Sequence, residues 1–188
     1  MISAFDMSSD AQLIQAYQKT GCPQAARQLC VRYEQPIYHF LRSMLGQKED
    51  AEDLTQQTFI KAIRGLVEYR ERGQFKSWLY QIARTEVLMH VRKGASRPET
   101  SAERLDDIPV AAGPSAYDDL AQAERIQALH LAIERLPDLE KEVVVLRLKA
   151  ELPFREIAEM TGAPLNTVLG RMHNATHRLR DIMKEVEP

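Results

Sequence analysis

The stretch Pro153-Phe-Arg-Glu-Ile-Ala-Glu-Met-Thr-Gly162-Ala-Pro-Leu-Asn-Thr-Val-Leu-Gly-Arg-Met-His-Asn-Ala-Thr-His-Arg-Leu-Arg180 reads as two helices joined by a tight turn. Ile157 and Ala158 lie on the first helix, with the small Ala158 where a second helix crosses closely. Gly162 follows the last apolar residue, where a C-terminal cap needs a left-handed backbone. Pro164 or Leu165 then opens a longer helix whose apolar stripe is Val168, Met172, Ala175, Leu179 and Ile182, at helical spacing. A short helix, a glycine turn and a longer helix ending in Arg178, Arg180 and Lys184 form the pattern of a helix-turn-helix. An ordinary helical hairpin is the alternative that this segment alone leaves open.

Outward from that segment, charge divides the chain. Net charge is −2 over 188 residues, an unhelpful balance for a nucleic-acid binder if spread evenly. It is not spread evenly. Residues 61–93 carry eight Lys and Arg against three Glu, and residues 141–184 carry eight against five acids. Between them, residues 95–120 hold two arginines against six acids, with Pro98, Pro109, Gly113 and Pro114 and few large apolar groups. Such a composition predicts an extended linker between two domains. Cys22 and Cys30, with neither a CxxC pair nor a Cys/His cluster, argue against a disulfide framework or a zinc site. Met1–Asp10 lacks the basic-then-apolar order of a signal peptide, and no apolar run reaches the length of a membrane span. A soluble, cytoplasmic protein is expected.

The N-terminal part reads as helix throughout. One helix starts near Ser9, with Gln12 placed for a capping box. A second runs from Pro23 to Leu45 before Gly46, with Pro36 inside it as a kink. A third covers about Lys48 to Leu66, with Glu49, Asp50, Glu52 and Asp53 in its first turns where the dipole favours anions. Its core face is Ala51, Leu54, Thr55, Thr58, Phe59, Ala62 and Leu66; its outer face is Asp53, Gln57, Ile60 and Arg64. An exposed isoleucine is ordinary by itself, yet among acids and amides it could equally belong to a partner surface. After the basic loop Tyr69–Gln74, a fourth helix spans about Phe75 to Lys93. Phe75, Trp78, Leu79, Ile82 and Met89 form one stripe, but Tyr80, Val87, Leu88 and Val91 lie opposite. A helix apolar almost all round is expected to be buried or covered. Trp78 shares the stripe of Phe75 and Ile82, so it reads as core rather than as a base-stacking platform.

Asp50-Ala-Glu-Asp-Leu-Thr-Gln-Gln-Thr-Phe59, Phe75-Lys-Ser-Trp-Leu-Tyr-Gln-Ile-Ala-Arg84, Leu136-Pro-Asp-Leu-Glu-Lys-Glu-Val-Val-Val-Leu146 and the helix-turn-helix together resemble bacterial RNA polymerase sigma factors of the sigma-70 family, extracytoplasmic-function (ECF) group. The resemblance runs from about Asp10 to Met183, in order. It implies an all-α fold: a region 2 helical bundle (1–94) and a region 4 helix-turn-helix domain (118–188), joined by a flexible acidic linker (95–117). The implied function is that of an alternative sigma factor, not an enzyme. It would bind core RNA polymerase through the clamp of the beta-prime subunit and the flap of beta, and direct promoter recognition at the −10 and −35 elements. An anti-sigma factor is a further implied partner; membrane insertion, a cofactor and a metal are not implied. The linker would thread toward the RNA exit path, although composition alone fits a solvated tether as well.

Carried over by position, Asp50, Asp53, Gln56, Gln57 and Ile60 are the implied polymerase contact, with Gln57 standing where the family commonly has Glu. The loop from Tyr69 matches the loop that captures an unstacked −10 base, and Arg70, Arg72, Lys76, Arg84 and Thr85 complete the −10 contact. At Thr85 and Met89 the family usually has Asn and Asp, and Glu86 stands where an apolar residue is usual. On the −35 side the implied contacts are Asn166, Thr167, Leu169, Gly170, Arg171, His173, Asn174, His177 and Arg178. The family's Thr-Val-Lys-Ser-Arg-Leu-x-Arg-Ala-Arg is here Thr167-Val-Leu-Gly-Arg-Met-His-Asn-Ala-Thr176, so three basic groups and a serine are gone. Asn174 could pair bidentately with an adenine edge. His173 and His177 are four apart but lack a third ligand. Two other readings stay open from sequence: a helix-turn-helix regulator acting without core polymerase, and a sigma-like decoy.

Overall fold

The computed structural model describes residues 9–94 and 127–186, with side chains described through Lys184. Among these residues there is no strand. The chain divides into two units, Met1–Ser101 and Ala102–Pro188. The expected linker, 95–117, lies outside the described residues.

In the first unit, α1 (Asp10–Thr20) begins with the reciprocal capping box. Gln12 N donates to Ser9 Oγ at 3.3 Å and Ser9 N donates to Gln12 Oε1 at 2.8 Å. It ends at Gly21, whose φ of 64° lets its N–H close back on Tyr17 O. α2 (Pro23–Leu45) starts with proline at its first position and stops at Gly46. Pro36 lies within it, and the helix continues through. α3 (Lys48–Leu66) and α4 (Phe75–Gly94) complete the bundle. The long α2 lies against all three partners, and α3 also packs on α4. Leu13, Ile14, Leu29, Ile37, Phe40, Leu41, Leu54, Leu66, Leu79 and Tyr80 fill the core. Phe40 meets Tyr80 edge to face, centroids 5.3 Å apart. Asp10 ties α1 to α2, pairing with Arg32 and accepting from the Tyr33 hydroxyl. Burial, and then that hydrogen bond, pushes the Tyr33 pKa well up.

The inner face of α3 is the expected one, except that Phe59 is half-buried. Its two threonines are tolerated inside because each hydroxyl donates down its own helix, Thr55 to Ala51 O and Thr58 to Leu54 O. α4 departs from expectation. Its buried line is Phe75, Leu79, Tyr80, Ala83, Glu86 and Val87. Trp78, Ile82 and Met89 are only half-buried, while Leu88 and Val91 are exposed. An all-round apolar pattern does not choose a face; the neighbours did, drawing Tyr80 and Val87 inward.

The second unit holds α5 (described over 127–134), α6 (Asp138–Leu148), α7 (Phe154–Thr161) and α8 (Leu165–Val186). α6 lies against both α7 and α8. Its four consecutive residues Val143, Val144, Val145 and Leu146 are all buried, as a helix enclosed on several sides requires. Ala132, Ile133, Leu136, Leu152, Ile157, Met160, Val168 and Ala175 close the core. Gly162 caps α7 at φ 67°, its N–H turned to Ala158 O and Glu159 O. α8 then leaves at Leu165 with Val168 and Ala175 inward. The helix-turn-helix is formed as its spacing predicts.

Candidate functional site

Three surfaces carry the residues singled out above. On α3, Asp53, Gln56, Gln57, Ile60 and Arg64 are exposed along one ridge, at the three- and four-residue spacing of a helix face. Ile60 is 52% exposed, an apolar group held in water amid acid and amide. Asp50 extends the ridge toward the N-terminus but is half-buried, its Oδ2 3.2 Å from His90 Nε2 of α4. The ridge is therefore anionic and amide-rich, with one apolar centre and one acid already shared with α4.

The second surface is the loop between α3 and α4. Tyr69 is half-buried. The ring lies against Trp78 and Phe75, with centroids 4.7 and 5.8 Å away. Burial, followed by the Glu71 charge, raises its pKa. Gly65 permits this cluster, since a Cβ there would come within 3.1 Å of the Trp78 ring. The loop turns at Gly73, φ 73°, whose N–H donates to the Glu71 carboxylate. Arg70 and Arg72 stand on this braced turn and are exposed. Lys76 and Arg84 are half-buried along α4. Thr85 is exposed, although its hydroxyl donates to Gln81 O at 2.8 Å. Glu86 is removed from this surface altogether. It is 3% exposed and accepts from Lys61 Nζ at 2.5 Å, so its unusual placement concerns the core of the bundle.

One residue of this surface was not anticipated. Gln18, on α1, donates from Nε2 to Leu66 O at 2.8 Å and to Tyr69 O at 2.6 Å. It thus satisfies a carbonyl in the last turn of α3 and the first residue of the loop. Nothing local marks Gln18, because its partners are 48 and 51 residues away.

The third surface is the outer side of α8. Asn166, Thr167, Leu169, Gly170, His173, Asn174 and His177 are all exposed. The two histidine rings meet edge to face at 4.5 Å, and among the described residues no cluster of three metal-ligating side chains exists. Arg171 is half-buried. Arg178, expected as a phosphate contact, is already engaged: its Nε lies 3.0 Å from Glu140 Oε2. Two lysines of this unit's basic block are not fully open to solvent. Lys141 and Lys149 are half-buried, and desolvation lowers both pKa values.

These surfaces suit binding to a protein and to nucleic acid: a mixed anionic ridge, a braced cationic loop, and a polar helix side sized for a major groove. Among the described residues no helix is long and apolar enough to cross a membrane. Comparison with known proteins agrees with that division. Residues 29–97 match the model of Sigma-70 region 2, and residues 132–181 match that of Sigma-70 region 4. The RNA polymerase sigma-H factor of Pseudomonas aeruginosa is 30% identical over 173 residues, covering 88% of this chain and 89% of that protein. The ECF RNA polymerase sigma factor SigW of Bacillus subtilis is 29% identical over 175 residues, 89% of this chain and 94% of the relative. Two solved structures share the fold. One is RpoE of Bartonella quintana in complex with the anti-sigma factor NepR (TM-score 0.70, 22% identity, 84% of this chain and 96% of that one). The other is CnrH in complex with the cytosolic domain of CnrY (TM-score 0.65, 21% identity, 94% and 99%).

Proposed function

The chain belongs to the extracytoplasmic-function group of the sigma-70 family of RNA polymerase sigma factors, and from that footing we propose which of its surfaces does what. It is an alternative sigma factor that directs transcription initiation. Its part is non-catalytic: it selects and opens promoters for a polymerase that makes the RNA, in the cytoplasm. A helix-turn-helix regulator acting without polymerase would leave the match over residues 29–97 without a role.

The exposed α3 ridge, Asp53, Gln56, Gln57 and Ile60 with Asp50 at its edge, is the core-polymerase contact. Ile60 supports the assignment most directly. A large apolar group held half in water at the centre of a polar rim is the pattern of a protein interface. The loop's Arg70 and Arg72, with Lys76, Arg84 and Thr85, hold the non-template strand at the −10 element. Tyr69 contributes by packing beneath the loop and not by direct contact. The outer side of α8 reads the −35 element through Asn166, Thr167, Leu169, Gly170, His173, Asn174 and His177. Arg171 and Arg178 flank that row; Arg178 pairs with Glu140 through Nε, and its 58% exposed side chain leaves the terminal N–H groups to a phosphate. Domains 1–94 and 118–188, linked by 95–117, divide the two tasks. An anti-sigma partner would act by covering these same surfaces.

The test is whether the purified chain makes core polymerase initiate at a discrete promoter. Asp53→Arg with Gln57→Arg should lower core affinity at least about tenfold without loss of helicity, because two cations replace an acid and an amide on an exposed ridge. Unchanged core affinity would remove the ridge from the contact.

A further inference from the structure

We infer that Gln18 is a positioning residue for promoter opening: from α1 it sets the shape of the loop that carries Arg70 and Arg72. The inference rests on reading that loop as the −10 contact. A short loop between two helices leaves backbone carbonyls unsatisfied where α3 ends, and water or a side chain must meet them. Here Leu66 O takes the Tyr69 N–H at 3.3 Å, and the Gln18 amide nitrogen adds a second bond to it at 2.8 Å and one to Tyr69 O at 2.6 Å. Two further braces continue along the loop. The Tyr69 ring is held against Trp78 and Phe75, and the Glu71 carboxylate takes the Gly73 N–H. Tyr69 is thus fixed at both ends, its carbonyl by Gln18 and its ring by α4. The two exposed guanidiniums, Arg70 and Arg72, follow this tied start of the turn. Strand capture must offset the unstacking of a base, so contacts that are ordered beforehand spend less of their attraction on ordering the loop. α1 itself presents no exposed basic residue except Lys19, which leaves positioning, and not strand contact, as its contribution.

The donor chemistry dictates an order among variants. Gln18→Ala removes both bonds. Gln18→Glu keeps the size but turns an oxygen toward two carbonyl oxygens, so it is at least as harmful. Gln18→Lys restores N–H donors at similar reach and recovers function. Trp78, the chain's only tryptophan, touches Tyr69 and reports loop order directly.

The experiment uses core polymerase with the full chain, on a linear promoter selected from random DNA by the wild-type holoenzyme. Core affinity and permanganate reactivity of the melted strand are read on the complex, and Trp78 emission on the free chain, for Gln18→Ala, Gln18→Glu, Gln18→Lys and the double variant Arg70→Ala, Arg72→Ala. Alanine and glutamate at position 18 should keep core affinity, lose strand opening on the order of tenfold and shift Trp78 emission to the red; lysine should restore both. Wild-type opening by Gln18→Ala and Gln18→Glu, with the arginine variant defective, overturns the positioning role and leaves the loop reading intact. Wild-type opening by the arginine variant overturns the loop reading and this inference with it. A loss of core affinity equal to the loss of opening shows general damage to the bundle and also overturns it.

Discussion

Glu86 stands on α4 where the family usually has an apolar side chain, and in this chain it is buried in the bundle with Lys61 of α3 as its partner. The two ends of this pair are unequal. The carboxylate side chain is 3% exposed and the lysine 47%. Removing the lysine therefore orphans a buried charge, whereas neutralising the acid frees an ammonium that water can solvate. Lys61→Met is expected to destabilise the first unit by about 2–3 kcal/mol. Glu86→Gln should cost less, and Lys61→Met combined with Glu86→Leu should recover most of the loss, as apolar replacement of a buried pair often does. Urea unfolding of the three variants decides it. A Lys61→Met protein within about 0.5 kcal/mol of wild type would mean that the pair carries no weight. The sequence marked Glu86 as unusual but could not name its partner, which lies 25 residues earlier on another helix.

Element by element, helix boundaries were the most legible feature, because caps are local chemistry. Ser9 with Gln12, Pro23, Gly46 and Gly162 start or stop their helices through local chemistry. The buried face of α4 was not legible, since an all-round apolar helix leaves the rotation to its neighbours. α8 is the element whose function depends most on its surface chemistry. Its outer side offers amide, hydroxyl and imidazole groups but few free cations, and Arg178 is engaged by Glu140. Affinity for −35 DNA should therefore change little with salt, each phosphate contact adding roughly 0.9 to the logarithmic slope. Leu169→Lys with Asn174→Arg should tighten binding and steepen that slope by about 1–2, measured by anisotropy across a salt series. Asn174→Ala should relax base preference at one position more than it lowers affinity, a discrimination worth about 1–3 kcal/mol at that base pair. A steep wild-type slope, or base preference untouched by Asn174→Ala, would assign the reading of the duplex to another surface.

At the scale of the molecule, each unit closes its own core. The first is built on α2 with α1, α3 and α4 around it, the second on α6 between α7 and α8. Residues 1–94 and 118–188, expressed separately, are expected to keep their helicity per residue, each melting within about 5 °C of its transition in the full chain. The first fragment should retain polymerase binding and lose −35 recognition. Circular dichroism and core pull-down check both statements. Collapse of helicity in either fragment would show that the units depend on each other to fold.

Length, the two basic blocks and the acidic stretch between them implied two domains, and helical periodicity with glycine and proline punctuation implied that both are all-α. The outer face of α3 and the two helices of the helix-turn-helix pattern followed from spacing, because a helix face is set by its own period; the parts they and the basic loop play came from the family resemblance. What only the tertiary structure decided was which polar groups remain available to a partner. Asp50 is shared with His90, Arg178 with Glu140, and Glu86 with Lys61. Tyr69 is turned inward, and Gln18 is drawn into the loop from α1. The physical reason is common to all five. Charge and hydrogen-bonding capacity are properties of a residue, but their satisfaction is a property of pairs, and these partners come from different helices and are adjacent only after folding.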